Sequence, residues 1–203
     1  MDWSRIREGR EKAAQMLPPI LRLPIVRSPR DVLLRLVRDG ESLLDVGAND
    51  RNVKGFLADA GLDVQYFSFD IDRSLPHDYY ELSAVDRKFD VVVIFEVIEH
   101  IPLEEARELI FRTQDLVLPG GRVILSTPNV CHPVRFWRDC THVTPFRYDE
   151  LAGLLLSAGF SKCEVFRVYN MRWRRRLWSI VFRPLLSLLD IDFATGVVVT
   201  GMK

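Results

Sequence analysis

The stretch FDVVVIFEVIEHI, residues 89–101, decides the fold class and locates a site. Apart from Asp90, its first seven residues are apolar, and such a short apolar run is typical of a strand buried on both faces. Three ionisable side chains follow the run at once: Glu96, Glu99 and His100. Because open α/β sheets bind ligands beyond the carboxyl ends of their strands, this stretch predicts a buried strand that delivers functional groups at its end.

The segments on either side alternate short apolar runs with amphipathic ones. The other predicted strands are residues 42–47, 63–70, 122–126, 163–169 and 196–201. The predicted helices are residues 30–40, 52–61, 103–121 and 149–160, and glycines mark their ends. Strands that alternate with helices form a parallel sheet covered on both faces. We therefore predict one Rossmann-like, doubly wound α/β domain with a mostly parallel sheet.

The first 30 residues show a different pattern. A short charged helix is followed by LPPILRLPIVRSP, residues 17–29, where four prolines exclude a continuous helix. We expect an N-terminal extension over residues 1–30 and a single domain over residues 31–203.

The amino-acid composition argues against some classes of function and some cellular locations. Lys and Arg number 28, as do Asp and Glu, and a formal charge of zero argues against a general nucleic-acid binder. The three cysteines form no Cys-x-x-Cys pair, which favours a reducing, cytoplasmic setting. The charged N-terminus predicts no secretion signal, and no apolar run reaches the roughly 18 residues of a membrane span.

Two further strand ends carry residues typical of nucleoside binding. The first strand ends in DVGAND, where Gly47 allows the backbone to approach a ligand closely. The second ends at Asp70, a carboxylate that can accept hydrogen bonds from both hydroxyls of a ribose. A tight turn and a solvated carboxylate would also explain these residues. Together they favour a nucleoside-containing ligand without distinguishing NAD from S-adenosylmethionine.

The order of the motifs is more specific. The motifs are LLDVGAND (43–50), FSFDID (67–72), HDYYEL (77–82), KFDVVVIFEVIEHI (88–101) and LVLPGGRVILSTPN (116–129). In order and distance they resemble the class I S-adenosylmethionine-dependent methyltransferases over residues 31–170. The loop GANDRN, residues 47–52, departs from the Gly-x-Gly-x-Gly that is usual in that family.

Carried over position by position, the resemblance implies a set of cofactor contacts. The methionine end of S-adenosylmethionine would lie against the first strand end, the ribose against Asp70, and the adenine beside Ile71 with Asp78 and Tyr79 at its edge. The residues assigned to the first strand end are Asp45, Gly47, Ala48 and Asn49, and Glu96 is assigned to both the cofactor and a metal.

Glu99 and His100 follow Glu96 by three and four residues, offsets that share one face of a helix. Two carboxylates and an imidazole make half of a divalent-metal site, and the residues leave either His132 or His142 as a further ligand. Carboxylates are also favoured at helix N-termini for reasons unrelated to a metal. A late histidine can equally bond a loop carbonyl or act as a metal-free base.

EVIEH together with a later histidine resembles the small-RNA 3′-terminal 2′-O-methyltransferases, and the ubiquinone-pathway O-methyltransferases share its Glu-x-x-Glu-His element. That resemblance selects His142. It implies metal ligation by Glu96, Glu99, His100 and His142, with Mg, Mn, Fe or Co as the ion. It also implies that His100 and His142 are the catalytic residues.

The segment MRWRRRLWSIVFRPLLSLLDIDF, residues 171–193, contains five arginines, with Trp173, Trp178 and Phe182 among them. The resemblance places residues 171–195 as a basic amphipathic insertion between the last two strands. Three interpretations stay open: a solvated arginine face, a peripheral membrane contact through residues 172–183, and a phosphate-binding face for RNA or a nucleotide-sugar.

The leading hypothesis is methyl transfer from S-adenosylmethionine to a hydroxyl of a small molecule, a glycan or a lipid-linked intermediate, by a cytoplasmic protein that contacts membranes at most peripherally. One alternative is 2′-O-methylation of an RNA 3′ end, which the zero net charge disfavours. The other is a degenerate methyltransferase fold that serves as a binding scaffold.

Overall fold

Six α-helices and seven strands are found in the computed structural model, which describes residues 3–169 and 180–203. The helices are α1 (Trp3–Met16), α2 (Pro29–Leu36), α3 (Asn52–Asp59), α4 (Leu103–Leu116), α5 (Tyr148–Ala158) and α6 (Arg183–Leu188). The strands are β1 (Ile25–Val26), β2 (Ser42–Val46), β3 (Gln65–Phe69), β4 (Phe89–Phe95), β5 (Val117–Pro128), β6 (Lys162–Val168) and β7 (Gly196–Met202).

All seven strands form one sheet in the order β1-β6-β7-β5-β4-β2-β3. β7 runs antiparallel to both of its neighbours, and every other pair is parallel. The predicted doubly wound, mostly parallel α/β domain is confirmed.

The central strand β4 shows why the sheet needs helices on both faces. Val92 and Ile94 pack into the core beneath α1, α4 and α5, whereas Val91 and Val93 pack beneath α2 and α3. All four side chains are fully buried. Side chains alternate between the faces of a strand, so a continuous apolar run fits only a strand covered on both sides.

Two helices end earlier than their patterns predict. α2 ends at Leu36 rather than Gly40, because Val37 is extended and buries its side chain in the core beneath α2 and α3. α4 ends at Leu116 rather than at the glycine pair, because Val117 already pairs with Phe89 in the sheet. In both places, burial of a β-branched residue overrides the helical pattern.

The N-terminal 30 residues share the core of the sheet domain. α1 packs along α5, where Ser157 Oγ donates to Arg5 O at 3.0 Å, and β1 pairs in parallel with β6. Arg167, buried and paired with Asp192 at 3.0 Å, also donates to the carbonyls of Leu21 and Leu23. These contacts fix the residues between α1 and α2 against the last strands.

The first part of the predicted basic insertion, residues 171–179, lies outside the described residues. This applies to Arg172, Trp173, Arg174, Arg175, Arg176 and Trp178. The described part contains α6, where Pro184 sits in the first turn and does not break the helix. Arg183 donates to Leu21 O at 2.8 Å. Among the described helices, none combines the length and the apolar character needed to cross a bilayer.

A pair of glycine substitutions tests the docking of α1. A Cβ at Gly9 would lie 2.1 Å from Ser157 Oγ and 2.2 Å from Gly153 O, so Gly9→Ala should destabilise the fold by about 1–3 kcal/mol. Gly55, in α3, has nothing within 4 Å of the same position, and Gly55→Ala should stabilise by about 0.5–1 kcal/mol. Urea unfolding of both variants measures the contrast, and equal stability of Gly9→Ala and wild type would contradict the packing.

Candidate functional site

The ends of three neighbouring strands bring the predicted site residues to one edge of the sheet. β2 lies between β3 and β4, and Val46 is in register with Phe69 on one side and Ile94 on the other. The residues that follow these strands, Gly47, Asp70 and Glu96, therefore lie along the same edge. A cleft at this edge is where doubly wound sheets bind their ligands.

The loop after β2 has the positive φ angles that favour glycine at all three positions of the Gly-x-Gly-x-Gly pattern, although two of these positions carry other residues. Gly47, Asn49 and Arg51 all have positive φ, at 74°, 40° and 58°. A Cβ at Gly47 would lie 2.3 Å from Val97 Cγ2, so only glycine fits there without displacing Val97. Positive φ at the other two positions costs of order 1–3 kcal/mol each. The departure from Gly-x-Gly-x-Gly thus changes the side chains of the loop and not its path.

The expected ribose ligand, Asp70, is held in place by the loops around it. Its Oδ2 accepts from Asn49 N at 2.8 Å and its Oδ1 accepts from Asp72 N at 2.9 Å. Each oxygen keeps a lone pair for a ribose hydroxyl, so the geometry fits a nucleoside. Ile71, expected beside the adenine, is 78% exposed and available to cover a ring.

Asp78 and Tyr79, the two other residues expected at the adenine, make different contacts. Asp78 Oδ2 accepts from both Ser68 N and Ser68 Oγ at 2.8 Å. Burial alone would raise the pKa of Asp78, but these hydrogen bonds outweigh it and lower the pKa. Asp78 therefore anchors the chain beside β3, where Tyr79 forms a bridge to Phe69. Arg51 also reaches this side, where its guanidinium donates to Pro76 O, a contact that sequence reasoning missed.

Asp45, expected at the methionine end, lies beneath the loop with 2% of its surface exposed, and Ala48 beside it is also buried. Tyr66 donates its hydroxyl to Asp45 Oδ2 at 2.6 Å. Burial raises the pKa of Asp45 to about 7, with a smaller contribution from Asp70. This carboxyl group is consequently close to its titration midpoint near neutral pH.

The spacing of Glu96, Glu99 and His100 after β4 predicts that they share one face of a helix, but the structure arranges them differently. Glu96 has a φ of 53°, which no continuous right-handed helix contains. A one-turn 3-10 helix, Ile98–His100, follows it. Glu99 and His100 stand on this turn, while Glu96 stands outside it and accepts a hydrogen bond from Ser126 Oγ at 2.7 Å.

Glu99 is the most unusual polar residue of the site. It is fully buried, and by distance and angle neither of its carboxylate oxygens has a hydrogen-bond partner, although the hydroxyl of Thr127, itself unpartnered, lies close enough to lower the pKa of Glu99 slightly. Burial, reinforced by the nearby Glu96, raises the pKa of Glu99 to about 8. An unpartnered buried carboxylate is costly, and a cation or a proton is needed to offset that cost.

Glu99, His100 and His142 offer ligand atoms that all lie within 4.8 Å of one another. The structure thus brings together three of the four predicted metal ligands. His132, which the residues alone left open, lies elsewhere: its Nδ1 accepts from Val134 N at 3.3 Å and its ring packs edge-on against Phe193.

Hydrogen bonds orient both imidazoles of the cluster. His142 Nδ1 lies 2.8 Å from Phe136 O, and because a carbonyl only accepts, Nδ1 carries the proton. Thr141 Oγ1 donates to Asp139 Oδ1 at 2.7 Å and so accepts from His100 Nδ1 at 2.9 Å. Both Nε2 atoms therefore present lone pairs, the tautomer that a metal ligand or a general base requires.

The residues that orient the cluster are ones that sequence reasoning missed. The backbone N–H groups of Val143 and Thr144 both donate to Glu99 O, at 2.7 Å and 3.1 Å, and fix this segment to the 3-10 turn. Asp139 and Thr141 form an Asx-type turn just before it, since Thr141 N donates to Asp139 Oδ1. Only that local Asp-x-Thr spacing could have signalled the turn, because its partner His100 lies some 40 residues away in sequence.

Comparisons with known proteins bear on the family and the fold of the chain. Residues 22–165, more than half of the chain, match a family model described as a methyltransferase domain. No curated protein matches the chain.

Solved structures with a similar fold include three methyltransferases. One is an S-adenosylmethionine-dependent methyltransferase from Archaeoglobus fulgidus, 14% identical with a TM-score of 0.64 over 98% of this chain and 94% of that one. Another, from Methanosarcina mazei, is 15% identical with a TM-score of 0.54 over 85% and 96% of the two chains. The third is phosphoethanolamine N-methyltransferase 2 of Haemonchus contortus in complex with S-adenosylmethionine, 15% identical with a TM-score of 0.55 over 86% and 52%.

The pKa of Asp45 leads to a pH-dependent prediction. Because folding raises this pKa from 3.8 to about 7, the carboxyl group lowers stability progressively as the pH rises through that window. Asp45→Asn removes the effect and keeps an acceptor for Tyr66. Relative to wild type, the variant should gain about 2–3 kcal/mol of stability between about pH 5 and pH 8. Urea unfolding at both pH values checks this, and a pH-independent difference would refute it.

Proposed function

The chain belongs to the class I S-adenosylmethionine-dependent methyltransferases, and we propose that it methylates a hydroxyl oxygen held at the cluster of Glu99, His100 and His142. One observation carries the proposal: a buried carboxylate without hydrogen-bond partners lies within 4.8 Å of two imidazoles whose Nδ1 atoms are engaged, so that each offers Nε2, although Nε2 of His142 also lies 3.9 Å from Asp139 Oδ2. In the reaction the sulfur–methyl bond breaks, an oxygen–carbon bond forms, S-adenosylhomocysteine leaves, and the hydroxyl proton passes to a base.

The edge of the sheet supplies the groups that would hold the cofactor. Asp70, oriented by Asn49 N and Asp72 N, would accept from the ribose hydroxyls, and the exposed Ile71 would cover the adenine. Gly47 leaves room at the loop that would receive the methionine end. S-adenosylmethionine supplies the electrophilic methyl group when bound. The protein contributes alignment of this carbon with the acceptor oxygen, which carries much of the rate.

The donor set of the cluster also fits a divalent metal. One carboxylate and two neutral imidazoles suit Mn²⁺, Fe²⁺ or Co²⁺ at least as well as Mg²⁺, and Glu96 is a fourth ligand by expectation. A metal here would offset the burial of Glu99 and would lower the pKa of the acceptor hydroxyl. The ordinary pKa of histidine, about 6.5, makes an unaided imidazole a weak base for an alcohol.

Without a metal, whose binding would occupy Nε2, His100 is the residue best placed to receive the proton. Its Nε2 is free, while Nδ1–H donates to Thr141 Oγ1, which in turn donates to Asp139. When Nε2 takes up a proton, the Asp139 carboxylate stabilises the resulting imidazolium through this chain of hydrogen bonds. Asp139 and Thr141 are thus positioning residues for His100.

The RNA-end alternative shares the cluster of Glu99, His100 and His142 with the leading proposal, so this cluster does not distinguish the two. Its further argument, the arginine cluster at 172–176, lies outside the described residues. A small-molecule acceptor remains the proposal.

Variants of the cluster test the metal. Glu99→Gln keeps the shape of the side chain and His142→Ala removes one imidazole, so each should weaken Mn²⁺ binding at least ten-fold and reduce methyl transfer more strongly. Calorimetry with Mn²⁺ alone measures the binding. His132→Ala is the matched control and should bind Mn²⁺ like wild type. The metal proposal is wrong if wild type binds no divalent ion, or if Glu99→Gln binds as tightly as wild type.

A second variant tests the cofactor site independently. Asp70→Asn should weaken S-adenosylmethionine binding by about ten-fold or more, because the amide loses the charge-assisted bonds to the ribose. Asp72→Asn, an exposed neighbour, is the control and should change the affinity less than about two-fold. Calorimetry provides both values. Undiminished binding by Asp70→Asn would remove Asp70 from the cofactor site, and no binding by wild type would favour the scaffold alternative.

A further inference from the structure

A groove of about 720 Å³ opens beside the cluster, with His100 in its wall. It runs between α1, the start of α4, the segment 143–146 and α5. Its volume falls within the range of sites that enclose most of a drug-sized ligand. The apolar residues of its wall are Ile6, Pro102, Leu103, Val143, Pro145, Phe146 and Leu154.

Two of these apolar side chains remain open to solvent. Leu103 is 44% exposed and Val143 is 57% exposed. Leu103 begins α4, directly after the turn that carries His100, and Val143 follows His142. Exposed apolar residues gathered in a concave surface beside a polar cluster are typical of a ligand site.

Two guanidinium groups interrupt the apolar wall. Arg107, whose side chain is 14% exposed, donates from Nη1 to Glu104 at 2.5 Å, and its buried Nε has no partner. Arg10 pairs with Glu150 at 3.1 Å but stays largely exposed. Because Arg107 lines an otherwise apolar groove, its guanidinium can form a charge-assisted hydrogen bond with an acceptor group of a ligand. An acidic or carbonyl group of the ligand would satisfy Arg107.

We infer that this groove binds the methyl acceptor and that the acceptor is an amphiphile. Its hydroxyl would lie at His100, its apolar ring or chain along the groove, and its acidic or carbonyl group at Arg107. A free sugar fits less well, because each of its hydroxyls set against the apolar wall would lose hydrogen bonds to water without replacement. The identity of the bound molecule as the acceptor rests on the proposed function, whereas its binding in the groove does not.

The inference gives the N-terminal extension a role. Ile6 and Arg10 of α1 form one wall of the groove, opposite the segment that carries His142. The close contact of Gly9 with α5 sets the position of this wall. α1, residues 3–16, is thereby part of the acceptor site.

The experiment separates binding from turnover. The protein is saturated with S-adenosylhomocysteine and Mn²⁺ and titrated with 1-anilinonaphthalene-8-sulfonate, a fluorescent apolar probe with one acidic group. ω-Hydroxy carboxylic acids of increasing chain length then compete with the probe. If the groove buries the chain, affinity should rise about four-fold for each added methylene until the groove is filled. Formation of S-adenosylhomocysteine from S-adenosylmethionine and the same acids is measured separately.

Two groove variants and a matched control locate the binding. Leu103→Asp introduces a charge that the first turn of a helix tolerates, and it should weaken the binding of the probe and of long acids at least ten-fold. Arg107→Gln should weaken both about five-fold or more through loss of the charge-assisted bond. Leu188→Asp changes an exposed leucine of α6 outside the groove and should have less than a two-fold effect.

Each outcome is informative. Chain-length-dependent competition that Leu103→Asp abolishes supports the amphiphile site. Affinity that does not depend on chain length, or that both groove variants leave unchanged, overturns it. Competition without any methyl transfer refutes the proposed O-methylation of these alcohols and leaves the binding site intact.

Discussion

The parallel pairing of β2 with both β3 and β4 is the constraint on which the site depends. Because Val46 lies opposite Phe69 and Ile94, three chain segments leave the sheet at one edge. A shift of one residue in either pair would turn the side chains of that strand to the opposite face. The buried apolar runs prevent such a shift, so the same burial that stabilises the domain also positions Gly47 and Asp70.

Folding holds three acidic residues of the site in unfavourable environments or conformations. Glu99 is buried without partners, Asp45 is buried near its titration midpoint, and Glu96 adopts a left-handed conformation. Each of these features costs stability in the free protein. A bound cation and a cofactor would recover part of that cost, which ties the stability of this edge to its ligands.

The acceptor side depends on contacts between segments that are distant in the chain. Val143 and Thr144 are fixed to the carbonyl of Glu99, and α1 is fixed to α5 through Gly9. These two attachments set opposite walls of one groove that His100 adjoins. The first helix and the loop after β5 therefore belong to the same functional unit as the strand ends.

The sequence by itself determined the alternation of strands and helices, the doubly wound sheet and the family, because each of these is encoded in local periodicity and motif order. It also identified Glu99, His100 and His142 as candidates, although by resemblance in the last case. Only the tertiary structure showed that Glu96 has a left-handed backbone and lies outside the 3-10 turn. It also showed that Asp78 accepts hydrogen bonds from Ser68, and that Thr141 and Phe136 set the tautomers of the two imidazoles. Hydrogen bonds between residues tens of positions apart leave no periodic signal, and neither does the groove that α1 completes. Only the packing of the folded chain decides such contacts.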